Sequence, residues 1–369
     1  MKRTLLALAL CAAPMLCLGA DEVVGGPIAV NVGARTATIV WLVNEAQSTM
    51  GESPADQKLT SQSLRVRKTT YTGLKAGTTY YYTVPGAGSG HFKTPPAPTA
   101  ARANEATPAP ASYTFVVYGD TRTRHDVHAQ VMAAVEKTDP DFVVHTGDLV
   151  SAGDDDGLWP NFFKIEKAVL SKTAFFPALG NHEKNARQYY EFLDVRSPYY
   201  SFNWGNAHFC IINTDVPNAA AGALAQERFW KEQVAWLDQD LEKSQKADFR
   251  FVAGHHPPFT AVSNRQGDNA HVAALIPMLE KRRVTAMFNG HDHNYQHFEK
   301  NGILYITTGG GGAPLYDVDM PPAYITKKVE KTENFVRVNV DGKHAVAEAL
   351  GIDGRVIDRF EFGAPGTGN

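Results

Sequence analysis

From Val23 to Thr94 apolar and polar residues alternate in short runs, such as Thr36-Ala-Thr-Ile-Val-Trp41 and Thr78-Thr-Tyr-Tyr-Tyr-Thr-Val84, separated by Gly and Pro turns. Alternation of period two puts every second side chain on one face of a strand, so 23–94 predicts a small all-β sandwich. Between 95 and 111 Pro, Ala and Thr dominate and large apolar residues nearly vanish, the composition of an extended linker. From Ser112 strand-like runs alternate with helical stretches, which predicts an α/β layered domain over 112–363. The clearest helix is predicted over 226–244, where Trp230, Val234, Leu237 and Leu241 recur at helical spacing. That stripe reads as core, not as a cofactor surface.

The amino terminus follows another pattern. Lys2 and Arg3 precede an apolar run from Leu5 to Leu18, then Gly19-Ala20 and acidic Asp21-Glu22, which predicts a secretory leader over 1–20 cleaved after Ala20. The run is short and broken by Pro14, unlike an uncleaved membrane anchor, and no later stretch resembles a membrane span. Cys11 and Cys17 would leave with the leader, so Cys210 alone remains and no internal disulfide is expected. An exported chain with 43% hydrophobic and 20% charged residues fits a globular protein, and 369 residues favour two domains. A net charge of -3 gives no footprint for obligate nucleic acid or an anionic membrane. Any anionic ligand must be attracted by a local field.

Five apolar runs end at a glycine followed at once by a metal-capable residue. Tyr113 to Tyr118 leads to Gly119-Asp120, and Asp141 to His145 leads through Thr146 to Gly147-Asp148. Phe175 to Leu179 leads to Gly180-Asn181-His182, Phe249 to Ala253 to Gly254-His255-His256, and Thr285 to Phe288 through Asn289 to Gly290-His291-Asp292-His293. In an open α/β sheet, ligands bind beyond the carboxyl ends of strands, and glycine permits the sharp turn there. A single Gly-Asp or Gly-His is as readily a plain turn; five together predict a gathered site. Asp120, Asp148, Asn181, His255, His291 and His293 form an oxygen and nitrogen set without thiolate, suited to Mn, Fe or Zn rather than Ca. Two ions need a bridging carboxylate, for which Asp148 is the candidate. His145 and His208 read as packing residues. Gly309 to Gly312 reads as a tight turn lining the cleft, since the Lys-Ser/Thr signature of a phosphate-cradling loop is missing.

The ordered set Gly-Asp, Gly-Asp, Gly-Asn-His-Glu, Gly-His and Gly-His-Asp-His resembles the calcineurin-like metallophosphoesterase superfamily. Tyr71-Thr-Gly-Leu-Lys-Ala-Gly-Thr-Thr-Tyr-Tyr-Tyr82 resembles the end of a fibronectin type III domain, with Trp41 as its core tryptophan. Together they resemble the purple acid phosphatase branch, in which a ββ core flanked by helices follows such a domain. The resemblance implies that Asp120, Asp148 and His293 hold one metal, and Asp148, Asn181, His255 and His291 the other, with His182 outside them. Two departures matter: Arg122 stands where many members carry His, and Ser151 where purple acid phosphatases carry Tyr. Water, Ser151, His125 or His128 are the candidates for the missing ligand, water first.

The expected reaction is hydrolysis of a phosphorylated small molecule, a monoester, by in-line attack of a metal-bound hydroxide. His182, oriented by Glu183, would serve the leaving oxygen, and Arg122 would either grip a phosphate oxygen or pair with Asp154 to Asp156. A phosphodiesterase or nucleotidase with the same metals is the alternative, and an inert exported binding protein the more distant one. One prediction follows from Ser151. A serine hydroxyl cannot supply the tyrosinate-to-ferric charge transfer that colours purple acid phosphatases, so the iron-loaded protein should be colourless or faintly yellow. An intense purple band in its visible spectrum, lost on mutating one tyrosine, would overturn the ligand set.

Overall fold

The computed structural model describes residues 21–46, 62–97 and 111–364. The expected leader, with Cys11 and Cys17, and most of the expected linker lie outside the described residues. Strands β1 (Glu22–Val30), β2 (Thr36–Ala46) and β3 (Gln62–Thr72) precede a hairpin of β4 (Thr79–Val84) and β5 (Gly88–Lys93). Then come β6 (Ser112–Tyr118), α1 (His125–Glu136), β7 (Phe142–His145), α2 (Trp159–Leu170), β8 (Ala174–Pro177) and α3 (Arg187–Phe192). A second α/β run holds β9 (Tyr200–Trp204), β10 (Ala207–Ile211), α4 (Val216–Ala219), α5 (Ala223–Lys243), β11 (Phe249–Ala253), α6 (Ala270–Ala273), α7 (Ile276–Lys281) and β12 (Ala286–Asn289). The chain closes with β13 (Tyr295–Lys300), β14 (Ile303–Thr308), β15 (Thr326–Glu330), β16 (Phe335–Asp341), β17 (His344–Leu350) and β18 (Val356–Gly363).

Nine strands form one sheet, in the order β18-β17-β16-β6-β7-β8-β1-β2-β3, and seven form another, β15-β13-β14-β12-β11-β10-β9. At the centre of the first, β6, β7, β8 and β1 run parallel; in the second, β14, β12, β11 and β10 do. These central strands are mostly apolar because helices cover one face and the opposing sheet covers the other. Between the sheets lies an aromatic core in which Phe142 sits 4.4 Å from Trp204 and 5.1 Å from Phe115, with Phe209, Phe251 and Phe288 behind. Trp159, Phe162 and Phe163 of α2 and Val131 and Val135 of α1 cover the outer face of the first sheet. Leu237 and Leu241 of α5 and Leu279 of α7 cover that of the second, so the predicted stripe is core, with Trp230 and Val234 half-buried at its margin. The result is the expected α/β layered domain.

The N-terminal strands correct the expectation of a separate sandwich with its own core. β1 pairs in parallel with β8, matching Ala29 to Ala174 and Val30 to Phe175, and so carries β2 and β3 into the nine-stranded sheet. The reason is legible in its burial: Ile28 and Val30 pack into the helix-covered layer while Ala29 enters the inter-sheet core. A strand buried on both faces belongs inside a large sheet. Trp41 is only half-buried on β2. The β4–β5 hairpin lies apart as a two-stranded sheet, tied to the end of α2 because Tyr82 Oη and His91 N both donate to Ser171 O, each at 2.9 Å.

A fragment beginning at Ala111 would therefore strip β8 of its partner and uncover Val30's packing site. Such a fragment should aggregate on expression. A soluble fragment with one cooperative melting transition would show instead that 21–97 is a detachable unit.

Candidate metal centre

All five predicted strand ends meet in one place, but they come from both sheets. β6, β7 and β8 of the nine-stranded sheet deliver Asp120, Asp148 and Asn181, while β11 and β12 of the seven-stranded sheet deliver His255, His291 and His293. Three of these residues sit in the left-handed region, Asp120 at φ 62°, Asp148 at 59° and His291 at 68°. That conformation costs a non-glycine residue about 1–2 kcal/mol, and it turns each side chain off its strand toward the gap between the sheets. The neighbouring glycines are required by closeness. A Cβ on Gly180 would fall 2.2 Å from Asp148 N, and one on Gly309 would fall 2.9 Å from Asp120 Oδ2. The Gly309 to Gly312 turn accordingly packs on the Asp120 loop, with Gly311 N donating to Gly119 O and Ala313 N to Asp120 O.

Asn181 Oδ1 lies 3.0 Å from His255 Nε2 and 3.2 Å from His291 Nδ1, and the two imidazole nitrogens are 3.2 Å apart. His255 Nδ1 stands 2.9 Å from Thr146 O and donates to that carbonyl, which turns Nε2 into the site. Burial disfavours a charge on this ring, but the Asp148 and Asp120 carboxylates outweigh it and raise its pKa, so a cation bound among these groups would take the place of a proton at Nε2. On the other side His293 Nδ1 donates to Pro314 O at 2.7 Å, which turns its Nε2 on Asp120 Oδ1 at 3.4 Å. Asp120 Oδ1 is buried without any hydrogen-bond partner. Asp148 stands between the groups, Oδ1 being 3.4 Å from His255 Nε2 and donor atoms of Asp120, Asp148 and His255 lying within 4.8 Å of one another. Carboxylate, carboxamide and imidazole atoms this close need protons or cations among them, and imidazoles whose far N–H is held by a carbonyl are oriented as metal ligands are. The donor set thus fits divalent ions. Burial would raise Asp120, but His293, His255 and the His291 amide hold its carboxyl below the ordinary range. Burial, then the neighbouring His256 and His255, depress His291, which keeps its lone pair available.

Two residues behind the site fix it. Glu183 is fully buried, and its carboxylate accepts from Asp148 N and Gly180 N through Oε2, at 2.8 and 2.7 Å, and from Leu149 N and Val150 N through Oε1, at 2.8 and 3.3 Å. The expectation that Glu183 orients His182 is corrected: it clamps the backbone of two ligand loops. Burial and the Asp148 charge raise its carboxyl, against the pull of the Gly180 and Val150 amides; with N–H donors on both oxygens, the ionised form is the one that fits. His145, read as a packing residue, is buried but also bonded at both nitrogens. It accepts from Gly147 N at Nδ1 and meets Thr121 Oγ1 at Nε2, each at 3.1 Å, joining the loops after β6 and β7. Burial, and next His128, bring its pKa to about 3, so it stays neutral.

His182 is oriented by Ser151, to whose carbonyl Nδ1 donates at 2.8 Å, while Nε2 faces Asp148 Oδ2 at 3.8 Å. Arg122 pairs with neither Asp154, Asp155 nor Asp156; its Nε lies 3.3 Å from Asp148 Oδ2, buried and out of hydrogen-bond alignment. His128 faces away, 2.8 Å from the fully buried Glu166, and His125 is exposed at the start of α1. Tyr118 donates to the same Glu166, in keeping with its reading as a packing residue. The motif reading gave no role to His256, whose ring lies 4.2 Å from that of His291. It also missed Tyr316, stacked on His293 at 4.2 Å. His208, Cys210 and Asp240 gather under α5 on the far side of the second sheet, closed by mutual hydrogen bonds. Burial raises the Cys210 thiol, so it donates to Asp240 rather than acting as a thiolate.

Replacing Glu183 by Gln removes one acceptor oxygen and turns an NH2 onto two backbone N–H groups. Glu183→Gln should lower unfolding stability by about 3 kcal/mol. It should also reduce metal retained after dialysis. Wild-type melting and metal content in the variant would show that the clamp is dispensable.

A family model described as calcineurin-like phosphoesterase matches residues 113–295. Purple acid phosphatase 21 of Arabidopsis thaliana is 26% identical over 295 residues, covering 72% of this chain and 62% of that protein. The chain thus spans less than two thirds of that relative's length. In fold, it is similar to a purple acid phosphatase from yellow lupin seeds, with a TM-score of 0.68, 17% identity, and coverage of 91% of this chain and 74% of that one. The structure titled PhoD is similar at a TM-score of 0.62 and 13% identity, with 93% and 90% covered. With the ordered motifs and the gathered strand ends, these findings show that the chain belongs to the calcineurin-like phosphoesterase family, in its purple acid phosphatase-like branch.

Proposed function

We propose that this chain is an exported dinuclear-metal hydrolase of phosphate monoesters. The observation that carries the reading is the convergence of Asn181 Oδ1, His255 Nε2 and His291 Nδ1 at 3.0–3.2 Å, beside the orphaned Asp120 Oδ1. Asp120, Asp148 and His293 would hold one ion, and Asp148, Asn181, His255 and His291 the other. Divalent Mn, Zn or Fe bound there would supply an activated water and positive charge at the phosphoryl oxygens. Export rests on the predicted leader; among the described residues no helix is long and apolar enough to cross a membrane.

The chain's own residues supply orientation and protons. Because Ser151 O holds Nδ1–H, a protonated His182 presents its second N–H from Nε2 to the cleft, where it can reach a leaving oxygen. The side chain is 30% exposed, which suits a group that meets a substrate. Arg122 holds a planar fork beside Asp148; its buried Nε faces Asp148 Oδ2 at 3.3 Å, and the two terminal nitrogens are the ones left to give a phosphate oxygen a charge-assisted bond. The missing tyrosine leaves the first ion with fewer protein donors than the second, and water is the proposed completion, since His128 is engaged by Glu166 and His125 is exposed at the start of α1.

Purified protein loaded with Mn, Zn or Fe should turn over monoesters in a panel that includes diesters and nucleotides. His182→Ala should keep its metals while turnover of an alkyl phosphate falls roughly 10²- to 10⁴-fold. An unchanged rate on that poor leaving group removes His182 from the mechanism. Preference for diesters would replace the monoester reading, and no turnover with any metal would sink the enzyme reading.

A further inference from the structure

We propose that Arg265 is a specificity-determining residue that selects phosphate esters whose leaving group carries a second anionic group; the proposal rests on the phosphoesterase reading above. Arg265 lies in the turn 263–265, on the segment that runs from His255 toward α6. Its guanidinium carbon sits 4.6 Å over the Tyr316 ring, and that ring stacks on His293 at 4.2 Å. Nη1 reaches His291 O at 3.3 Å and Asp292 Oδ1 at 3.4 Å. The cation is thus fixed from two sides against the loop that bears both His291 and His293, with the side chain 21% exposed.

What remains free points to a ligand. Among the described residues Nη1 is the one nitrogen of Arg265 with an acceptor in reach, so Nε and Nη2 keep their N–H groups for something else. Arg265 and Tyr316 line a cavity of about 400 Å³, and it is through these two residues, one on His291 O and the other on the His293 ring, that the cavity borders the centre. Two acids line it as well: Asp317 is paired with Lys331 at 2.8 Å, and Asp319, which keeps its charge, is turned onto Ser263, accepting from N and Oγ at 3.0 and 2.8 Å. Asp317 is 76% exposed and well screened by solvent. The half-buried guanidinium is therefore the group in this cavity with unspent donors and little solvent around it. A planar fork of this kind matches the paired oxygens of a phosphate or a carboxylate.

Both anions share that chemistry, and the choice of probes separates them. The ratio of kcat/KM on a doubly anionic substrate to that on 4-nitrophenyl phosphate is measured for wild type, Arg265→Ala and Arg265→Lys, using ADP and pyrophosphate for a second phosphate and 3-phosphoglycerate for a carboxylate. In Arg265→Ala the ratio should fall roughly 10- to 100-fold on at least one pair, the range for a lost charge-assisted hydrogen bond, mainly through KM. Arg265→Lys should fall between, keeping charge without the fork. Because the ratio is internal, partial loss of folded or metal-loaded protein cancels. Calorimetric binding of pyrophosphate and of phosphate to the metal-loaded protein gives a second ratio that needs no turnover. If wild type turns over no ester, the phosphoesterase reading fails while the calorimetric ratio still tests Arg265. Ratios equal to wild type on every pair, in both measurements, would overturn the proposal.

Discussion

Four backbone N–H groups, those of Asp148, Leu149, Val150 and Gly180, point into the protein at one spot, and the Glu183 carboxylate accepts from all of them. Left unmet, each would cost about 1–3 kcal/mol of desolvation, and no water is needed to meet them here. Their convergence is a consequence of the left-handed turn at Asp148, which rotates successive amides inward, and of Gly180, whose missing Cβ lets the two loops touch. The clamp therefore couples what the site needs coupled. Moving Asp148 would break the bonds that also hold the loop of Asn181. His145 does the same for the opposite pair, tying Gly147 N to Thr121 and so Asp148's loop to Asp120's. Donor positions are fixed by these buried bonds before any cation arrives, which is what preorganisation of a metal site requires.

The residues that would touch metal were legible because their signal is local. A strand ending in glycine and then Asp, Asn or His is visible within a few residues, and the six residues read in this way lie together in the fold. The residues that hold them were not legible. Glu183 and His145 are ordinary in sequence, and only burial beside particular groups gives them a role; each has one partner close in sequence, Gly180 and Gly147, but the others lie 33 to 35 and 24 residues away along the chain. For the same reason the sequence did not say that the strand ends belong to two sheets rather than one. Nothing in the runs before Gly180 and Gly254 distinguishes strands in different layers, since both are apolar on both faces.

The N-terminal region shows the same limit from the other side. Its alternating runs do form strands, and the reading of a β region was right, but pairing partners are long-range facts. A small sandwich of short strands and an extension of a neighbouring sheet present similar patterns. What separates them is β1, whose last six residues are all buried. A strand that alternated cleanly would have one wet face; Ile28, Ala29 and Val30 have none, and β8 supplies the missing neighbour. The Gly-Gly-Pro approach and the short run of consecutive apolar residues were the available hint, and they are too brief to name a partner.

Charge around the centre follows a pattern that the net value conceals. Each arginine at the site is anchored beside a buried carboxylate, Arg122 by Asp148 and Arg265 by Asp292, and the chain as a whole stays near neutrality. Such pairing does not cancel the arginine for a ligand. The carboxylates, at 2% and 1% side-chain exposure, lie behind the guanidinium groups, which are 16% and 21% exposed and so stand between the acids and the cleft. An arriving anion meets N–H groups first and the negative charge at greater distance, in a place where solvent screens little. Lysine would serve less well in either position, since a single ammonium spends its charge on the nearest carboxylate, whereas a fork can hold an anchor with one nitrogen and a ligand with another. The buried acids thus keep the arginines in place without filling them, and the local field that a protein of net charge -3 needs in order to bind an anion is assembled from pairs that are individually neutral.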